Sequence, residues 1–232
     1  MPEFKIKAEN PIGSRGDDIL GYGDFADTLA ETLILAESSS FIGMHAPWGS
    51  GKSSLLNLLK SKIDESSEVK SFIFDAWDYE NSNGMLPKMF TEIAKLVPNE
   101  TIKKSWYKVS AAVMLGVADV ALSKLSNETL EMENLINTME KLDKQFDSSK
   151  LKEDTGYRSE YFSELLSKTL KDTKTSSVEK IVFLIDDLDR CHPENIFTFI
   201  DHLRRFIALT ERFKNDDIKP LIKYINLCYN TT

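Results

Sequence analysis

Cysteine is scarce in this chain: Cys191 and Cys228 are the only two among 232 residues. Neither sits in a CxxC pair, which excludes a disulfide framework and an all-cysteine zinc site. Both read as reduced structural thiols, as in the cytosol. Histidine is limited to His45, His192 and His202, none with a spacing partner for a metal. Cationic residues are in the minority, 29 Lys and Arg against 37 Asp and Glu, for a net charge of −8. Such a chain lacks the cations that release phosphate counterions, so nucleic acid is not the expected partner. Ten glycines and seven prolines are too few for a collagen-like or linker-dominated chain. No run of 18 uninterrupted apolar residues occurs, so no transmembrane helix is expected. The first 13 residues carry no apolar stretch, so no secretory signal is expected. Internal repeats and low-complexity segments are absent as well.

What is present is the composition of a folded protein: 41% apolar, 28% charged and 10% aromatic residues. A chain of this length buries roughly 70% of its extended surface, enough for one real core. We read residues 1–232 as a single domain. Residues 24–37 read as a helix, with Asp24 as N-cap and Phe25, Leu29, Leu33 and Ala36 at helical spacing. Residues 41–45 are a short apolar run suited to a buried strand.

Ala46-Pro47-Trp48-Gly49-Ser50-Gly51-Lys52-Ser53 follows, and then Leu55, Leu56, Leu58, Leu59 and Ile63 recur at helical spacing. A strand, a glycine loop and a helix in that order form a phosphate-binding loop. Successive backbone N–H groups must surround the phosphates, and only small residues let the chain come that close. Gly49 and Gly51 supply the unusual dihedrals. Lys52 is placed to reach the β- and γ-phosphates, Ser53 offers its hydroxyl to Mg²⁺, and the helix aims its positive end at the anion. A match to this pattern arises by chance on the order of once per fifty chains of this size, and the flanking elements reduce that rate further.

Residues 71–75 form a second strand, leading into Ala76-Trp77-Asp78-Tyr79-Glu80. Residues 85–178 read as helical. Their stripes are Met89, Phe90, Ile93, Leu96 and Val97, closed by Pro98; Leu135, Met139, Leu142 and Phe146; and Tyr161, Phe162, Leu165, Leu166 and Leu170. Residues 109–122 are the most apolar window and read as a buried bundle helix, with a membrane-surface helix as the alternative. Lys180 to Asp186 is a strand without alternation, which points to burial on both faces. It ends in two carboxylates, which is costly unless a cation meets them. Asp186 is therefore assigned to Mg²⁺ and Asp187 to the attacking water. Arg190 either pairs with Asp189 or faces a nucleotide on a neighbouring subunit. Pro193 opens a helix with Ile196, Phe199, Ile200, Leu203 and Phe206 as its buried stripe.

Ala46 to Ser54, Phe74 to Tyr79 and Phe183 to Cys191, with the lead-in Leu20 to Ala26, together resemble the KAP family of P-loop NTPases. The resemblance covers residues 17–207. It implies an α/β fold of the additional-strand P-loop type, a parallel sheet with a large helical insertion, here residues 85–178, between the Walker A and Walker B motifs. It implies ATP and Mg²⁺ as ligands: Ala46, Pro47, Trp48, Gly49, Ser50, Gly51, Lys52, Ser53 and Ser54 at the nucleotide, Ser53 and Asp186 at the metal, Lys52 and Asp187 in catalysis. Hydrolysis would then drive or regulate a conformational or assembly switch, in signalling or in phage defence, with a protein partner or a second copy of the chain. A nucleotide-dependent interaction module without turnover is the alternative. A cytoplasmic location follows, with peripheral contact at the inner membrane face left open. The family's strand after the Walker B helix sits centrally and carries a polar sensor. Here the strand candidate is residues 221–229, in which Lys223 and Asn226 look out of place in a central strand. Asn226 and Asn230 are the sensor candidates, and the chain reads as a short or degenerate member.

Overall fold

The computed structural model describes residues 11–36, 40–80, 84–115, scattered positions between 137 and 149, 155–176, 178–212 and 222–229. Among the described residues four strands form one sheet: β1 (Ser40–His45), β2 (Val69–Asp75), β3 (Lys180–Asp186) and β4 (Ile222–Tyr229). Their spatial order is β1-β4-β3-β2 and every pairing is parallel. Parallel neighbours need long crossovers, and helices supply them. After α1 (Gly23–Leu35), which precedes β1, the described crossover helices are α2 (Lys52–Ile63) between β1 and β2, α3 (Met85–Leu96), α4 (Glu100–Met114) and α5 (Thr155–Lys174) between β2 and β3, and α6 (Pro193–Arg212) between β3 and β4.

β3 explains how the layers divide. Val182 and Leu184 face α1 and α2, among Ala26, Ala30, Leu33, Leu56 and Leu59. Ile181, Phe183 and Ile185 face the other way, against residues of α3 to α6. Both faces are covered, so the strand carries no polar alternation. Residues 222–229 form a strand between β1 and β3, where the sequence pattern had argued against a central position. That pairing bridges β1 and β3: Ile42 and Leu184 both stand opposite Asn226.

Two local expectations are corrected at α1. Its buried stripe is Ala26, Ala30 and Leu33, while Phe25 is 55% exposed. Alanines at that stripe let α1 lie close against α2, and Phe25 is one residue, about 100°, off the stripe. The helix is also not capped by Asp24, whose carboxylate pairs with Arg15 together with that of Asp27. Asp18 takes the cap, accepting from the N–H of Tyr22 (3.1 Å) and of Gly23 (2.6 Å). Burial pushes the Asp18 carboxyl up, but the N–H groups of Gly23, Tyr22 and Gly21 outweigh it and leave it below its ordinary value. A depressed value means the stabilisation is complete above the ordinary 3.8 and is lost as pH falls through the native value. Asp18→Ala is expected to lower the melting midpoint by a few degrees at pH 7, and the difference should vanish in acid. At the other end of α1, Lys180 donates to the carbonyls of Ile34 and Ala36.

Helices α3 to α5 pack as their stripes predict. Met89, Phe90 and Ile93 are fully buried, and α3 ends at Leu96, with Val97 extended ahead of Pro98. Asn99 caps α4 through the N–H groups of Thr101 (2.9 Å) and Ile102 (3.3 Å). Trp106 of α4 donates its indole N–H to Thr173 of α5 (2.9 Å) and stacks on Phe90, which meets Phe206 of α6 edge-on. Within the apolar window, Val109, Ala112 and Val113 are fully buried, in line with a core helix, while residues 116–122 lie outside the described set. Of the second expected stripe, Met139 is described and buried, while Leu135, Leu142 and Phe146 lie outside that set. Among the described residues no helix is long and apolar enough to cross a membrane.

Candidate functional site

Parallel sheets place ligands at the carboxyl ends of their strands. Here β1 ends in the glycine loop, β2 ends at Asp75 and β3 at Asp186. Residues 46–51 turn from β1 into α2, with Gly49 and Gly51 at φ of 75° and 86°. Both lie in the left-handed region that favours glycine. At Gly51 a side chain would also strike Leu20 Cδ1 and the Tyr22 ring, each 3.0 Å from the added carbon. The segment ahead of α1 therefore lies against the loop. Tyr22 donates its hydroxyl proton to the Ser50 carbonyl (2.6 Å), Ser54 Oγ accepts from the Ile12 N–H (3.1 Å), and Asn57 donates to the Ile12 carbonyl (3.1 Å).

Three features fit a phosphate in this loop. Gly51 at the start of α2 has no side chain to cap the helix, whose positive end suits an anion. Ser50 Oγ is buried with no hydrogen-bond partner among the described residues, a costly state that an added acceptor relieves. Lys52 Nζ donates to the carbonyls of Ala46 and Pro47, both at 3.2 Å, so its ammonium lies over the loop. Ala46, Pro47 and Trp48 form the entry side of the loop, and Ser53 lies in the first turn of α2. The Ser54 hydroxyl oxygen accepts from the Ile12 N–H and keeps its own proton to donate.

Asp186 is 8% exposed and its carboxylate accepts the Asp187 N–H (3.0 Å). Among the described residues no three His, Cys, Asp or Glu side chains converge as a metal cage. One buried carboxylate and one serine hydroxyl suit Mg²⁺, which keeps waters and takes its remaining ligands from substrate phosphates. Asp187 follows in the left-handed region at φ 50°, where it is the only described non-glycine residue. Burial raises its carboxyl above the ordinary value, the charge of Asp186 adds to this, and Arg190 opposes it.

Asp75 is a carboxylate to which the sequence reading gave no role. It stands in register with Asp186 on the neighbouring strand. Its Oδ1 accepts from the N–H groups of Trp77 (3.0 Å) and Asp78 (3.3 Å). Burial raises its carboxyl, against the pull of the Asp78 N–H, with the charges of Asp78 and Asp186 also raising it. The available signal was that two apolar strands both end in Asp, but their adjacency is a matter of topology. Arg190 is likewise corrected. Its ion pair is with Asp187, at 3.1 Å, because the tight Leu188–Arg190 turn eclipses positions three apart. Its guanidinium also lies over the rings of Trp48 (5.3 Å) and Trp77 (5.5 Å). Asn226 lies two residues short of the Asp186 level in the β3–β4 register, and Asn230 lies outside the described residues. Cys191 is buried, and desolvation pushes its thiol up to about 11, in keeping with an inert structural cysteine.

Comparison with known proteins agrees with this geometry. The chain is 24% identical over 218 residues to the phage T7 exclusion protein of Escherichia coli strain K12, covering 85% of this chain and 28% of that protein. It is 30% identical over 195 residues to an uncharacterized protein of Methanocaldococcus jannaschii, covering 68% of this chain and 95% of that one. The chain thus spans little more than a quarter of the Escherichia coli relative's length. No solved structure matches it. The model of the KAP family P-loop domain matches residues 22–215, and the chain belongs to that family of nucleotide-binding domains.

Proposed function

We propose, from this membership and from the site, that the protein binds ATP with Mg²⁺ and hydrolyses it. The observation that carries the reading is the meeting of a glycine loop with a β3 strand ending in a buried carboxylate, at the carboxyl ends of the strands of a parallel sheet. Lys52 and the loop N–H groups would hold the phosphates, Ser53 and Asp186 the metal, and Asp187 would orient water. Bound Mg²⁺ would neutralise charge on the phosphates, which in phosphoryl transfer leaves the protein mainly to position and to stabilise charge. The strand order β1-β4-β3-β2 supports the additional-strand type, and α3 to α5 between β2 and β3 support a helical insertion within one domain spanning residues 1–232. The exclusion of phage, named for the Escherichia coli relative, is the biological setting we propose, with hydrolysis driving an assembly switch. The test is phosphate release from Mg·ATP by the wild type and by Lys52→Ala. Turnover in the wild type that falls at least about a hundredfold in Lys52→Ala is expected. Binding without any turnover would favour an interaction module, and neither binding nor turnover would overturn the reading.

A further inference from the structure

Three sequence segments far apart in the chain meet at one guanidinium. Trp48 belongs to the phosphate loop, Trp77 to the turn after β2, and Arg190 to the turn after β3. Arg190 lies 5.3 Å from the Trp48 ring and 5.5 Å from the Trp77 ring, while its Nε reaches Asp187 Oδ1 at 3.1 Å. The planar guanidinium suits this: its edge serves the carboxylate while its surface meets the rings, a combination an ammonium does not offer.

Trp77 is the anchored end. The Asp75 carboxylate holds the N–H groups of Trp77 and Asp78, and the Ala76 N–H reaches the Asp186 carbonyl at 3.0 Å. Glu80 then accepts from the His192 N–H and from Asn195 (3.2 Å), just beyond Arg190. The turn after β2 is thus fastened to both ends of the segment that bears Asp187 and Arg190. Trp48 is the other end. It is 69% exposed and sits in the loop whose backbone a phosphate would line up against.

The geometry points to Arg190 as a positioning residue: lying over the rings of Trp48 and Trp77, it holds the Asp187 carboxylate in place and links it to the state of the phosphate loop. The inference rests on the nucleotide reading above. Its consequence is a split between binding and turnover, since Arg190 acts on Asp187 and not on the phosphates. Nucleotide entry changes the surroundings of Trp48, and Arg190 carries that change to Trp77.

The test uses the full chain, with Mg·ADP and Mg·ATP as probes. Calorimetry on the wild type comes first: no binding of either nucleotide would overturn the nucleotide reading and this inference with it. Given binding, Arg190→Met and Arg190→Lys are expected to keep the Mg·ADP Kd within about threefold and to lower kcat by about tenfold to a hundredfold. Mg·ADP is expected to change tryptophan emission in the wild type; that change should be reduced in Arg190→Met, where Trp48 still responds but Trp77 does not, and lost in Trp48→Phe. Wild-type turnover in both Arg190 variants, with the emission response intact, would overturn the inference alone. Affinity falling in parallel with kcat would overturn it too, by making Arg190 a phosphate ligand. If Arg190→Met does not fold, Arg190→Lys and the exposed Trp48→Phe decide between the same outcomes.

Discussion

Asp187→Asn is expected to lower the rate of ATP hydrolysis by about 10²–10⁴-fold, the range associated with losing a general base, while Mg·ATP still binds. The substitution is a clean one for a physical reason. Asp187 sits at φ 50°, a conformation that asparagine tolerates and β-branched residues do not. Asparagine therefore keeps the backbone and removes the charge. The side chain lies beside Asp186 and in contact with Arg190, so its loss also releases the guanidinium. Steady-state phosphate release and calorimetric binding separate the two effects. Turnover unchanged in Asp187→Asn would transfer the water-orienting role elsewhere, with Asp75, in register with Asp186, the next candidate.

Trp106→Ala is expected to cost about 3–5 kcal/mol of stability, the usual range for deleting a buried Trp or Phe. Whole domains are stable by only about 5–15 kcal/mol, so most or all of the margin is at stake. Trp106 is fully buried, donates to Thr173 and stacks on Phe90, which in turn meets Phe206. That ladder joins α4 and α5 to α3 and α6, and α6 follows the acidic turn of the site. If residues 85–178 fold as part of one domain, thermal unfolding of the variant remains a single transition at a lower midpoint. Two transitions, the upper one at the wild-type midpoint and still sensitive to nucleotide, would show that the helices form a separate unit.

The parts legible in the sequence are those dictated by local pattern. The unbroken apolar run of β3 forecast burial on both faces, and Val182 and Leu184 indeed face one layer while Ile181, Phe183 and Ile185 face the other. The glycine loop was legible because backbone geometry restricts which residues can occupy it. What escaped depended on distant neighbours. The central place of β4 is decided by pairing with β1 and β3, which no periodicity within residues 222–229 expresses. Asp24 and Asp18 are equally plausible caps by residue type. Arg15 occupies the first and leaves the second to the helix. Arg190 met Asp187 because of a tight turn, and met two tryptophans because three strand ends converge. None of these is a property of the residues taken in order.

The central claim, that the loop at residues 46–54 is a working nucleotide site, is tested most directly by thermal unfolding with and without Mg·ATP, in the wild type and in Lys52→Ala. A ligand that binds only the native state at a hundredfold over its Kd adds about 2.7 kcal/mol. For a chain of this size that raises the midpoint by about 5–10 °C. We predict one cooperative transition that shifts upward in the wild type and stays in place in Lys52→Ala. Identical midpoints with and without Mg·ATP in a folded wild-type sample would contradict the account.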